Sequence, residues 1–512
     1  MLARAHTFTL DGLNTRRVAV EVDIRPGLPA FTIVGLADAA VREARERVHA
    51  AIRNSGFEFP GRRITANLAP ADLPKAGPAF DLAIACAILA ASSQLPGARL
   101  RTHALFGELA LDGAVRPCRG TLAVAHATRA AGLQALILSA HSAHDAWVLE
   151  GTSLAPVVSL ESAVRVLRGG KPDVLDGSRR PAPSGGAARR SRSSGPDLAD
   201  VRGVHHAVRA LIVAAAGGHN LLLIGPPGTG KTMLAQRLPS ILPPLSPAEA
   251  LEVARIHSIA GGAVGELASR RPFRAPHHSI TAAGLVGGAR RDGVGEVSLA
   301  HNGVLFLDEL SEFSRPALEA LRQPLEDGRV SIARARHSAV YPARFVLIAA
   351  TNPCACGYAG VRDRCRCGEA ELARHRRRLS GPLVDRIDVL AHLSFDRGGI
   401  RAPPLTSSLA AREQVRRART IQARRLREDA VRLNAHMDAR ALARHAKLDA
   451  GGEQLLGEAC RTGMLSARGA HRVLKVARTV ADLDDSRQVR LRDLATALAL
   501  RVEAYSAGTR AA

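Results

Sequence analysis

Apolar residues recur along this chain in three different rhythms. Within residues 1 to 168, "RRVAVEVDI" and "AFTIVG" alternate in the manner of strands. "DAAVREARERVHAAIRNSG" instead spaces its apolar positions three to four apart and stops on Gly56, which predicts a helix. The run "LAIACAILAA" at 82 to 91 is apolar on every side. It predicts a buried helix and is too short to cross a bilayer. "GELALDGAVRP" alternates around Asp112-Gly113 and predicts a hairpin. Residues 169 to 197 are Gly, Pro, Ser and Arg with almost nothing apolar, and predict a flexible basic linker. From 198 to 396 short apolar runs alternate with amphipathic ones, the pattern of a parallel α/β sheet. From 397 to 512 only helical patterns remain, as in "LAAREQVRRARTIQARRL" and "SARGAHRVLKVARTVADL". The expected fold class is α/β, with two α/β units, a linker between them and a helical C-terminal part.

Composition adds a partner to this picture. A chain of 512 residues is too long for one core. Aromatic residues make up only 3%, so Leu, Val, Ala and Ile must build the cores. There are 71 basic residues against 47 acidic ones, a formal charge of +24, which favours a polyanion such as nucleic acid. GC-rich coding would account for Arg over Lys, but not for base over acid. The first residues lack the charged start, apolar stretch and cleavage site of a signal peptide. With no membrane-length apolar run, the expected location is cytoplasmic.

"LLLIGPPGTGKT" at 221 to 232 joins an apolar strand, a glycine loop and a helix start. Gly225, Gly228 and Gly230 let backbone N–H groups wrap phosphates, Lys231 supplies charge to the β and γ phosphates, and Thr232 reaches Mg²⁺. The nucleotide-binding run is Gly225, Pro226, Pro227, Gly228, Thr229, Gly230, Lys231, Thr232 and Met233. "GVLFLDEL" at 303 to 310 is a buried strand ending in two carboxylates. Asp308 suits the Mg²⁺ shell, and Glu309 suits polarising the attacking water. ATP and Mg²⁺ are therefore the expected cofactors.

The order of these strands, with "FVLIAATN" as the next, resembles the AAA+ ATPases. That resemblance implies a γ-phosphate-sensing role for Asn352. "LSGPLVDRID" at 379 to 388 resembles the arginine-finger segment of the helicase and chelatase branch, which implies that Arg386 reaches a neighbouring subunit's nucleotide. "SARGAHR" resembles the second sensor, with Arg468 the first choice and Arg472 the reserve. Together with "AAAGGHNLLLIGPPGTGKTMLA", "FRAPHHSIT" and "TNPCACGY", these segments resemble the ComM/YifB family of magnesium-chelatase-like ATPases over nearly the whole chain. Membership implies a homo-hexameric helicase that drives DNA branch migration in natural transformation. It would act on branched or single-stranded DNA, away from membranes and beside recombination proteins. The same resemblance implies a Lon-protease-like N-terminal domain. There the nucleophile position reads Ala79 and the catalytic lysine position Val124; Lys75 lies nearby without its partner. A Ser–Lys dyad needs a hydroxyl and an amine, so the implied domain is catalytically silent.

"DGRVSIARARHSAVYPARF" at 327 to 345 alternates like a hairpin and gives Arg334 and Arg336 the same parity. Related helicases line their channel with such a hairpin, which makes these two the expected DNA contacts. His277 and His278 are adjacent, and adjacent side chains rarely converge on one ion. Cys354, Cys356, Cys365 and Cys367 fall within "TNPCACGYAGVRDRCRCGEAEL" as two C-x-C pairs. Four thiolates suit a structural Zn²⁺ site; free thiols and redox chemistry are the alternatives. The competing functions are a DNA motor, the motor subunit of a magnesium-chelatase-type complex that remodels a protein partner, and a non-enzymatic scaffold.

Overall fold

The computed structural model describes residues 1–36, 38–149, 151–174, 196–262, 267–288, 293–334, 337–361, 363–379, 383–394, 403–429 and 431–506. Strands β1 (Leu2–Asp11), β2 (Asn14–Arg25), β3 (Ala30–Val34), β4 (Arg63–Ala69) and β5 (His103–Phe106) open the N-terminal unit. β6 (Glu108–Leu109) and β7 (Val115–Arg116) form the hairpin around Asp112-Gly113, and β8 (Ala135–Ser139) and β9 (Leu154–Val157) follow. Seven of these make one mixed sheet in the order β3-β4-β2-β1-β5-β8-β9. Alternation sets its faces: Val18, Val20, Val22 and Ile24 of β2 all point into the core. The helix Asp81–Ala91 packs on β1 and β2 with every residue except Ala90 buried, which is why it carries no polar face. Beyond its last helix the chain is still held at Asp173. The Asp173 N–H donates to Pro156 O at 2.9 Å, and Asp173 Oδ2 accepts from the Val158 N–H at 2.9 Å. The central part of the expected linker lies outside the described residues.

The second unit is built on β10 (Leu221–Ile224), β11 (Phe273–Arg274), β12 (Val304–Leu307), β13 (Arg329–Arg334), β14 (His337–Pro342), β15 (Val346–Thr351) and β16 (Val389–His392). Five of them form an all-parallel sheet in the order β11-β12-β15-β10-β16. Every residue of β12 and β15 is buried, the continuous apolar run that a sheet covered on both faces requires. Because the strands are parallel, their C-terminal ends share one edge, where ligands of open α/β sheets bind.

The C-terminal helices do not form a separate core. Ser408–Arg425 and Ala467–Leu483 pack on the helix His205–Gly217, and Leu491–Ser506 packs on β16. Leu211, Leu223, Ile348, Val415, Val480 and Leu500 belong to one apolar cluster. Polar groups pin this packing: Asp482 is fully buried and takes Arg425 at 2.6 Å and Arg478 at 2.9 Å. One apolar core thus runs across the expected boundary at residue 396.

The two α/β units touch through specific surfaces. The helix Thr121–Ala130 packs on the helix Pro247–Ala260, and the Gly120 N–H donates to Ser258 O at 3.1 Å. Arg255 reaches across to Leu13 O at 2.5 Å. The hairpin β13–β14 rests on the same surface, with Tyr341 buried among Leu10, Leu13 and Ala123. Gly12, at φ +61°, lies so close to β14 that a Cβ there would come within 2.8 Å of Val340 O.

Candidate nucleotide site and its surroundings

The phosphate loop leaves β10, which lies between β15 and the edge strand β16, and enters a helix at Lys231, with Gly230 in left-handed conformation at its N-cap. Gly228 also has positive φ, at +79°, a shape that an L side chain resists. Lys231 Nζ donates to Gly225 O at 2.6 Å, to Pro226 O at 2.9 Å and to Asn352 Oδ1 at 3.1 Å. Partial burial lowers the pKa of its ammonium, against the opposing pull of Asp308 and Glu309. Thr232 Oγ1 donates to Asp308 Oδ2 at 2.7 Å. Lys231 and Thr232, Asp308, and Asn352, from three separate segments, are thus joined at the sheet's C-terminal edge. Met233 and Glu309 are exposed beside them.

A hydroxyl and a carboxylate side by side are hard oxygen donors, a set that fits Mg²⁺. Glu309 sits at φ 53°, in the left-handed region, so its carboxylate leaves the line of β12. His278 Nδ1 is 3.5 Å from Glu309 Oε2. This pairing was not legible in the sequence, where the two histidines only raised the question of a metal. Among the described residues, the one cluster able to gather around an ion is the cysteine quartet.

Arg386 ends a short 3₁₀ turn, Val384–Arg386, and forms an ion pair with Glu326 of the same chain. Asn220 Nδ2 holds the Arg386 carbonyl at 3.0 Å. Arg468 is exposed, whereas Arg472 is half-buried with Nε 3.7 Å from Asp388 Oδ1. Both line a cleft of about 240 Å³ with Asp438, His471 and Lys475. Asp388 also accepts from His219 at 3.2 Å. Burial raises the Asp388 carboxyl pKa, but His219, Arg472 and Lys475 outweigh it and leave it below the usual range.

The expected DNA contacts are only partly visible. β13 ends at Arg334, which pairs with His337 across the hairpin. The Arg334 side chain and the whole of Arg336 lie outside the described residues. The hairpin leads through three residues into β15 and so to Asn352.

In the N-terminal unit, Ala79 and Val124 meet in one apolar cluster. Phe8, Leu122 and Leu138 belong to it, and so does Ala254 from the helix Pro247–Ala260 of the second unit. The apolar cluster that holds these two positions therefore extends into the neighbouring unit. Lys75 is fully buried and donates to the Pro70 carbonyl.

A parallel sheet in which the strand feeding a glycine loop and lysine lies beside a strand ending in Asn, with a strand ending in Asp-Glu on that strand's other side, defines the AAA+ class of P-loop proteins. Comparison with known proteins narrows this. Residues 197–397 match the family described as magnesium chelatase, subunit ChlI; residues 20–142 match subunit ChlI of Mg-chelatase; residues 406–501 match the ChlI C-terminal family. The chain is 43% identical over 506 residues to uncharacterized protein Rv2897c of Mycobacterium tuberculosis, covering 98% of each chain. It is 42% identical over 506 residues to uncharacterized protein YifB of Escherichia coli, covering 98% of this chain and 97% of that one. It is 41% identical over 498 residues to competence protein ComM of Haemophilus influenzae, covering 96% and 95%. The chain belongs to the ComM/YifB family of magnesium-chelatase-like AAA+ proteins, a family whose fold implies nucleotide and Mg²⁺ use. No described helix is long and apolar enough to cross a membrane.

Proposed function

We propose that this protein is an ATP-driven DNA motor: a homo-hexameric, cytoplasmic ATPase that moves branched DNA during recombination and natural transformation. The observation that carries this reading is mechanical. The hairpin β13–β14 and Asn352 lie at opposite ends of the single buried strand β15, so a change at the γ-phosphate has a short, rigid path to the hairpin. The +24 charge supplies affinity for phosphates, and the Haemophilus relative is named for competence.

In the proposed cycle, N–H groups of the loop and Lys231 hold the phosphates, and Thr232 with Asp308 holds Mg²⁺. The ion neutralises charge on the β and γ phosphates when bound. Glu309 accepts the proton of the attacking water, and His278 positions Glu309. Asn352 registers the γ-phosphate through Lys231. Arg386 leaves Glu326 to reach the neighbouring subunit's nucleotide, a contribution of roughly 10³ to 10⁵ in rate for fingers acting in trans. Arg468 or Arg472 reports the nucleotide to the C-terminal helices; the contact to Asp388 favours Arg472 as the residue linked to β16. Zinc on the four cysteines completes the cofactor set. The N-terminal unit serves as a proteolytically silent, Lon-like brace for the hairpin.

One observation favours a second reading. All three family matches carry the name of a magnesium-chelatase subunit, which fits a motor that remodels a protein partner. ATP hydrolysis measured with and without forked DNA separates the two. The DNA motor predicts severalfold stimulation; the chelatase motor predicts none.

A further inference from the structure

We infer that Cys354, Cys356, Cys365 and Cys367 form a closed structural zinc site that latches Asn352 and the phosphate loop in place. The latch rests on these two elements forming the nucleotide site; the metal site stands without it.

The four Sγ atoms all lie within 4.8 Å of one another. Cys354 Sγ is 3.3 Å from Cys356 Sγ and 3.9 Å from Cys365 Sγ, and Cys356 Sγ is 3.7 Å from Cys365 Sγ. A tetrahedron of thiolates at a Zn–S distance of about 2.3 Å sets its sulfurs ~3.8 Å apart. None of the four is in a disulfide. Backbone donors point at sulfur, among them the Cys356 N–H to Cys367 Sγ at 3.4 Å and the Ala359 N–H to Cys354 Sγ at 3.2 Å. Such second contacts orient thiolates and stabilise their charge at metal centres. Four soft donors select Zn²⁺ over Mg²⁺ and fill the four positions of a tetrahedral site, leaving none open for catalysis.

The placement assigns the task. The described part of the segment from Pro353 to Gly368 contains neither helix nor strand, and Cys354 is the one cysteine of the four that is buried. Such a loop has too little apolar surface to hold its own shape, so binding a metal is what would fix it. Its contacts run straight into the nucleotide site. Gly357, at φ +88°, lies against the phosphate loop, and a Cβ there would come within 2.8 Å of Pro227 Cδ. At the entrance Asn352 Oδ1 accepts from Lys231. From the helix that follows the last cysteine, buried His375 donates through Nε2 to Asn352 O at 2.9 Å. The chain leaves Asn352, passes the four thiolates and returns to Asn352, so the metal closes a ring around the residue that faces Lys231.

The test uses the full-length chain. Elemental analysis should find about one zinc per chain and none in Cys365→Ser/Cys367→Ser. Co(II) exchanged into the wild type should show the visible bands of a tetrahedral thiolate site. Because the double variant could fail to fold, zinc is also removed from the folded wild type with a thiol-specific mercurial and then returned. Removal should lower kcat for ATP by about tenfold or more, as expected when a preorganised polar group is lost. Affinity for ADP, which has no γ-phosphate, should change less than about threefold. Returned zinc should restore kcat. A folded chain that is purified without zinc and takes up neither zinc nor Co(II) overturns the metal site. Bound zinc whose removal leaves kcat unchanged overturns the latch. If the zinc-loaded chain hydrolyses nothing, the ATPase reading fails, while stoichiometry and the cobalt spectrum still decide the metal site.

Discussion

Val124→Lys would return an amine to the position where an active Lon-like dyad would carry one. The side chain it replaces is fully buried, in a cluster that also holds Ala79, Phe8 and Ala254. A buried lysine has a pKa near 5 to 6, against about 10.4 in the unfolded chain. Its folded pKa is depressed, so the charged form is disfavoured in the native state. The cost is complete below the folded pKa and disappears as pH rises through the unfolded one. At about pH 7.5 it amounts to roughly 2.9 pH units, or about 4 kcal/mol. Overpacking adds about 1–3 kcal/mol. A sum of about 5–7 kcal/mol is comparable to the whole stability of a small domain. Urea unfolding of the variant should therefore show an early transition confined to the N-terminal unit. Raising the pH to about 9.5 should return about 2.7 kcal/mol. Val124→Leu, which keeps the site apolar, should lose less than about 1.5 kcal/mol. A lysine variant as stable as the wild type, with no pH dependence, would refute the buried-socket argument. Even Ala79→Ser/Val124→Lys should cleave no unfolded substrate, because both positions are buried in a closed apolar cluster.

Three further outcomes follow from the same geometry. Glu309→Gln should keep Mg·ATP binding and lose about 10²-fold or more in hydrolysis, since an amide accepts no proton from water; near wild-type turnover would remove Glu309 from its role. Tyr341→Ala should cost about 3 kcal/mol at the contact between hairpin and N-terminal unit and reduce DNA stimulation while basal hydrolysis survives; unchanged stimulation would contradict the brace. Arg334→Ala/Arg336→Ala should flatten the log–log salt dependence of DNA binding by roughly one to two units, and an unchanged slope would move the DNA contact elsewhere.

Legibility in the sequence followed distance along the chain. The phosphate loop, the Asp308-Glu309 strand end and Asn352 could be read because each lies in a few contiguous residues whose strand and turn are locally encoded. The helix Asp81–Ala91 could be read from its unbroken apolar run. What the sequence did not carry were pairings made by tertiary packing. Glu326 meets Arg386 across 60 residues, and nothing local distinguishes it from other exposed acids. His278 meets Glu309 only because the turn after β11 lies beside the end of β12. Ala79 and Val124 were legible as missing chemistry, but not as members of one apolar cluster that also takes in Ala254 of the second unit. The C-terminal helices read as a separate layer because periodicity marks a buried face without naming what buries it. Second-sensor assignment stayed open for the same reason: Arg468 and Arg472 share a helix, and only Arg472 has Asp388 in reach.

The central claim is that hydrolysis at this site moves DNA. Its most direct measurement is strand exchange at a labelled three-way junction, followed on a native gel with the purified chain, Mg²⁺ and ATP. The account predicts junction resolution that requires ATP hydrolysis, is absent in Glu309→Gln and weakens with salt. Robust ATP hydrolysis with no junction movement and no response to any DNA would contradict it.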